Sequence, residues 1–216
     1  LSDDEFNEDE YVEQLQKSGS GCRAWYEILK SQLLYLFGEY TEAGKMIRIT
    51  QDDLNSTMGQ ITYPEFYFYE SLILAAQYSA LDRSDRNRAK RTLATNRKKL
   101  EKWAASAPQN FAHKKLLVEA EIARIAGKNS KAEALYDQAI QSSQENDYTQ
   151  NEGIANELAG QYYLSQDRLK IARTYITEAR HAFLRWGATA KVMDLESRYA
   201  FLLGSPGQDS GIGVSA

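Results

Sequence analysis

Cysteine is almost missing from this chain: Cys22 is the only one in 216 residues. No internal disulfide can form, so an oxidising compartment is not implied. One thiol and two isolated histidines, His113 and His181, cannot build a soft metal site. Proline occurs only three times, and glycine gathers near residues 19–21 and 204–213, so few residues in the interior oppose helix. No apolar run approaches the ~18 residues that a membrane span needs, and no signal-peptide pattern opens the sequence. The chain starts at Leu1, which reads as a segment of something longer.

Catalytic signatures are also lacking. The nearest approach to a phosphate loop, Gly38-EYTEA-Gly44-Lys45-Met46, has one residue too many between its glycines. It also carries Met46 where a hydroxyl should reach magnesium. No Gly-rich kinase loop, catalytic HRD or DFG occurs. Neither histidine lies in a phospho-acceptor setting, and both read as capping or surface residues, with Cys22 as a small buried one. No enzyme activity, cofactor or metal is therefore expected of this segment.

What remains is a chain rich in Ala, Leu, Glu, Lys, Arg and Gln, the strong helix formers. Its hydrophobic content of 43% and charged content of 26% are those of an ordinary folded domain. The net charge of −4 is unevenly spread. The opening LSDDEFNEDEYVEQL has seven acidic residues and no basic one, whereas Arg83 to Lys102 holds nine basic residues against Asp85 and Glu101. That basic run reads as a solvated helix face, and nucleic-acid binding through 83–102 is a third-ranked alternative.

The informative signal is a period. AGKNSKAEALYDQAI, 126–140, places Ala132, Leu135, Tyr136, Ala139 and Ile140 on one helical stripe. A small or turn residue, then Ala five on, then an apolar residue four later recurs as Gly38–Ala43–Ile47, Ser84–Ala89–Leu93, Gly127–Ala132–Tyr136 and Asp167–Ala172–Ile176. Upstream of each alanine lies another amphipathic segment, with Ala120 and Gly160 in matching small positions. Thr62…Glu65, Ser130…Glu133 and Thr149…Glu152 have capping-box spacing. Alanine where helix axes cross permits close approach, and stacked hairpins bury what a single hairpin leaves exposed. The spacing thus predicts an all-α fold, a right-handed superhelix of antiparallel hairpins over 22–203. An acidic segment with a Gly/Ser linker precedes it at 1–21, and a Gly/Ser-rich tail follows at 204–216. Phe6, Tyr11, Val12 and Leu15 offer an alternative, a short docked helix. The aromatic run ITYPEFYFYESLILAAQY and the tryptophans Trp25, Trp103 and Trp186 read as packing anchors. Trp186 precedes Gly187 at a helix end.

Ala120, Gly127, Ala132, Tyr136 and Ala139 resemble the tetratricopeptide (TPR) pattern, although the units are longer than usual and the family's helix-ending proline is absent. The resemblance implies that first helices line a concave, protein-binding face, at Gln32, Tyr78, Lys114, Glu121, Arg124, Glu157 and Gln161. A narrower resemblance spans residues 111–203, above all RWGATAKVMDLESRY, Arg185 to Tyr199. It is similar to a helical region of large signalling proteins that combine a serine/threonine-kinase-like domain, a STAND-type ATPase, a GAF domain and a histidine kinase. That resemblance implies a cytoplasmic, non-catalytic spacer whose partners are proteins: neighbouring domains, a second copy or a peptide. A free-standing peptide-binding adaptor is the alternative.

Overall fold

The computed structural model describes residues 7–17 and 20–204, with only the backbone at Gln16 and Ser20. Among these residues there are helices and turns and no strand. Phe6, Ser18, Gly19, the first acidic residues and the tail from Ser205 lie outside the described residues. The chain divides into two compact units, 1–102 and 103–216.

The first unit holds α1 (Glu8–Lys17), α2 (Ser20–Leu36), α3 (Tyr40–Ile49), α4 (Thr62–Gln77) and most of α5 (Arg83–Ser106). Helix α2 takes in Ser20 and Gly21, which the sequence placed in a linker. Its inner face, Ala24, Ile28 and Ser31, is fully buried, as is Ala43 on α3. Ala24, Ser31 and Ala43 are short side chains, and α2 and α3 pack closely as an antiparallel pair. Two 3-10 turns, Thr50–Asp52 and Leu54–Thr57, lead to α4, and Arg23 of α2 pairs with Asp53 beside them. Helix α4 is sheathed in aromatics, with Phe66, Phe68 and Tyr69 buried. Gln77 fills the space beside Gly44, where an added Cβ would meet its side chain at 3.0 Å. Its amide also donates to the Tyr40 carbonyl at 2.7 Å. A residue too large for a helix crossing is thus absorbed by a glycine on α3. Helix α5 buries Ala89, Leu93, Asn96 and Leu100, one stripe at helical spacing, and its basic side chains point mostly outward.

The second unit holds α6 (Pro108–Ile125), α7 (Asn129–Glu145), α8 (Thr149–Ser165), α9 (Leu169–Arg185), α10 (Thr189–Arg198) and α11 (Ala200–Leu203). Helices α6 and α7 form one hairpin and α8 and α9 the next, with α7 lying on α8. The small residues that the spacing singles out in this unit sit at these crossings, together with Ala179, seven positions after Ala172. Ala120, Ala132, Ala139, Ala172 and Ala179 are fully buried, and a Cβ on Gly160 would strike Ile176. From Asn151 to Gly160 every residue of α8 is buried. At about 1.5–3 kcal/mol per enclosed aliphatic or aromatic side chain, that helix is the best-anchored element of the unit.

Five connections share one backbone solution. Gly38, Gly127, Asp147, Asp167 and Gly187 all have positive φ, between 56° and 83°. In each, the following amide reaches back five residues, as from Lys128 to the Ala123 carbonyl at 2.9 Å and from Ala188 to Phe183 at 3.0 Å. This is the Schellman arrangement, which satisfies the last carbonyls of the first helix. The next helix starts one residue later, so the capping boxes at α7 and α8 do not form, and the one at α4 does not form either: α4, α7 and α8 enter from Ile61, Lys128 and Tyr148 with no side-chain cap. Ser84 likewise is no turn residue. It lies inside α5, which Asp82 starts by accepting from the Asp85 amide at 2.8 Å.

Candidate interaction site

The concave-face residues divide between the units. In the first, Gln32 is half-buried on α2. Tyr78 lies outside any α-helix, in the 3-10 turn Tyr78–Ala80 that follows α4. There its ring meets the Arg86 guanidinium at 5.7 Å and Lys90 Nζ at 5.9 Å. The aromatic run expected to continue as helix stops at Gln77, so Tyr78 is a turn residue.

In the second unit Glu121, Arg124, Glu157 and Gln161 are built into polar networks, and Lys114 is buried with Nζ 5.9 Å from the centre of the Tyr148 ring. On α6, Glu121 is only 2% exposed, and Arg124 one turn on grips its carboxylate at 2.6–3.1 Å. The hydroxyl of Tyr136, from α7, donates to the same carboxylate. Burial raises the Tyr136 phenol well above its usual value and the Glu121 charge raises it further, so the ring stays a proton donor. Lys114 is buried beside His113, which stacks on Tyr148 with ring centroids 4.2 Å apart. The His113 nitrogens have no hydrogen-bond partner among the described residues. Burial and the Lys114 charge push the imidazole down to about 3. It is a core histidine, where the sequence suggested a surface or capping one; His181 is exposed.

On α8, Glu157 and Gln161 are met by the last helices. Lys191 of α10, 2% exposed, places Nζ 3.0–3.1 Å from both oxygens of Glu157 and 3.1 Å from Asp194. Arg198 donates to Glu157 at 3.0 Å and is tied to Asp194. Gln161 donates to the Tyr199 hydroxyl at 2.9 Å. Glu157 is therefore neutralised within the chain by α10. Sequence reasoning missed Lys191, Asp194, Arg198 and Tyr199, although they fall within the diagnostic Arg185–Tyr199 stretch. Lys, Asp and Arg at i, i+3 and i+7 on one helix face were the available signal.

One further expectation is corrected: Cys22 is exposed. Trp25 and Trp186 are 38% and 44% exposed, the first donating to Gln60 and the second lying against Phe183. Among the described residues, no group of three or more His, Cys, Asp or Glu side chains could hold a metal. No helix there is long and apolar enough to cross a membrane.

Antiparallel hairpins joined by Schellman turns, with small residues at each crossing, define an all-α, TPR-like helical-repeat protein, a class that mediates protein–protein interaction. The model of the family described as "CHK1-like, TPR repeats" matches residues 5–167, and the chain belongs to that family. No curated protein and no solved structure matches it.

Proposed function

We propose that residues 22–203 are a non-catalytic spacer and protein-interaction segment of a multidomain, cytoplasmic signalling kinase with serine/threonine-kinase-like and histidine-kinase parts. The reading rests on one observation above others. The polar groups of the first helices in the second unit are satisfied inside the chain, Glu121 by Arg124 and Tyr136, Glu157 by Lys191 and Arg198. A groove evolved to receive an extended peptide would instead offer such groups to the ligand, since a buried charge without a partner is costly. Stiff, internally paired hairpins suit a spacer whose contacts are nearest-neighbour. The similarity of Arg185–Tyr199 to the large signalling kinases supports the same reading, because those residues form the closing network. The Arg83–Lys102 run supports nucleic-acid binding poorly, as its charges line the solvated side of one helix.

Size-exclusion chromatography with light scattering tests this. The chain is run alone and mixed with a separately produced serine/threonine-kinase-like domain or GAF–histidine-kinase module from a protein of that architecture. Co-migration with one of them, weakened by Gln32→Arg or Tyr78→Ala, is expected. A chain that ignores both modules yet binds short extended peptides would replace this reading with the adaptor.

A further inference from the structure

Five glutamates are buried among the described residues, and four of them are provided for. Glu121, Glu152 and Glu157 each meet an arginine or lysine. Glu70 accepts from Gln51 at 2.9 Å and from Asn96 at 2.7 Å. Glu27, on α2, is the exception. It is 5% exposed, and its Oε2 has no hydrogen-bond partner among the described residues. Its Oε1 lies 3.8 Å from Arg23 Nε, beyond hydrogen-bond reach. Arg23 is committed elsewhere, for its Nε, at 2.8 Å, and a terminal nitrogen both donate to Asp53. Burial raises the Glu27 carboxyl, with the neighbouring Thr50 hydroxyl and the Arg23 charge opposing. A carboxylate kept from water without a donor is costly, and an arriving donor would relieve that cost.

Glu27 lines a cavity of about 600 Å³ between α1, α2 and α3, a size within the roughly 300–1,000 Å³ of small-molecule sites. Val12 and Leu15 of α1 and Met46 and Ile49 of α3 supply apolar walls, and Tyr26 of α2 an aromatic one. Asp52, in the turn after α3, adds an exposed second carboxylate. The lining charges are thus two carboxylates and a guanidinium already held by Asp53. We infer that this cavity binds a small organic amine, with its ammonium head against Glu27 and its hydrocarbon body against Leu15, Met46 and Ile49. An anion would be repelled by Glu27 and Asp52. A metal ion would find no group of three ligands among the described residues. A partner's lysine would bring flanking peptide groups against walls that cannot pair them, so the amine is a free molecule. The site lies in the first unit and does not depend on the spacer reading.

The probes are hexylamine, a cation at neutral pH, and its neutral and anionic counterparts hexanol and hexanoate, each titrated into the full chain by calorimetry. Hexylamine should bind roughly ten- to a hundredfold more tightly than hexanol, the worth of a hydrogen bond to a charged group. Hexanoate should not bind. Glu27→Gln should bring hexylamine down to the hexanol level and leave hexanol unchanged. Its urea midpoint should be no lower than wild type, because a buried charge without a close partner is gone. Ile49→Lys, at a lining position 57% exposed, should carry its own ammonium to Glu27 and weaken hexylamine about tenfold or more, with unchanged circular dichroism. No binding of hexylamine, equal binding of the three probes, or wild-type amine affinity in either variant would overturn the inference. So would a short lysine-containing peptide that binds more tightly than hexylamine, for then a partner's side chain is the occupant.

Discussion

Replacing Gly160 by alanine adds one methyl group at the tightest helix crossing in the second unit. The new Cβ would lie 2.6 Å from Ile176 Cδ1, 2.7 Å from Cγ1 and 3.4 Å from the Ala172 carbonyl oxygen. Carbon atoms in contact prefer about 3.5–4.0 Å, so the overlap with isoleucine is about 1 Å. A flexible side-chain tip could swing away, but Cγ1 sits on a β-branched carbon that has essentially one helical rotamer. Ile176 is also fully enclosed. Helices α8 and α9 must therefore separate. Overpacking of this kind costs about 1–3 kcal/mol, and the better helix propensity of alanine returns about 1 kcal/mol. The expected net loss is up to about 2 kcal/mol, read as a lower urea midpoint at unchanged m-value by circular dichroism. A double-mutant cycle assigns the cause. With Ile176→Ala in place the clash partner is gone, and Gly160→Ala should become neutral or mildly stabilising, a coupling of about 1–3 kcal/mol. If Gly160→Ala raises the midpoint in the wild-type background, close approach at α8–α9 is not what selects the small residue.

His113 gives a pH signature. Its folded-state pKa of about 3 lies below the usual 6.5, through burial first and Lys114 second. Between those values the unfolded ring holds a proton and the folded one does not, so stability falls as pH drops below about 6.5. The loss reaches about 2 kcal/mol at about pH 5, and His113→Phe should remove that part of the slope; parallel curves would refute it. Lys191→Met leaves Glu157 buried with Arg198 as its main remaining cation, and should cost about 2–4 kcal/mol. Adding Glu157→Leu should recover much of the loss in the same urea titration. Asp147→Gly and Asp167→Gly relieve left-handed strain at φ 60° and 56° and should each raise thermal stability by about 1 kcal/mol; destabilisation by both would refute the backbone argument.

Helix pairing was legible because its signal is local. Alanines at 43, 89, 132 and 172, each followed by an apolar residue four on, reveal the hairpins, and in three of the four units they sit beside a Schellman turn. The exception, Ala89, belongs to a long helix whose own cap is Asp82. The failed capping boxes have a shared cause: Thr62, Ser130 and Thr149 are already inside their helices, and no residue type marks that shift of one or two positions. Charge pairing was not legible. Glu157 and Lys191 are 34 positions apart and meet only when α10 closes on α8, while Tyr136, read as a core aromatic, also supplies a hydroxyl to Glu121. Exposure at Trp25 and Cys22 escaped for the opposite reason. Their stripe has the spacing of a buried face, and what distinguishes it is the missing neighbour.

Helix α8 is enclosed on every side from Asn151 to Gly160, and this bears on how the second unit yields to force. An end repeat of a solenoid ordinarily peels away by itself, because it touches one neighbour. Here α7, α9 and α10 all lean on α8, and its amides reach solvent only when that whole group opens. Pulled from its ends, the second unit should rupture in one step rather than unravel hairpin by hairpin, transmitting tension almost undiminished up to that threshold and none beyond it.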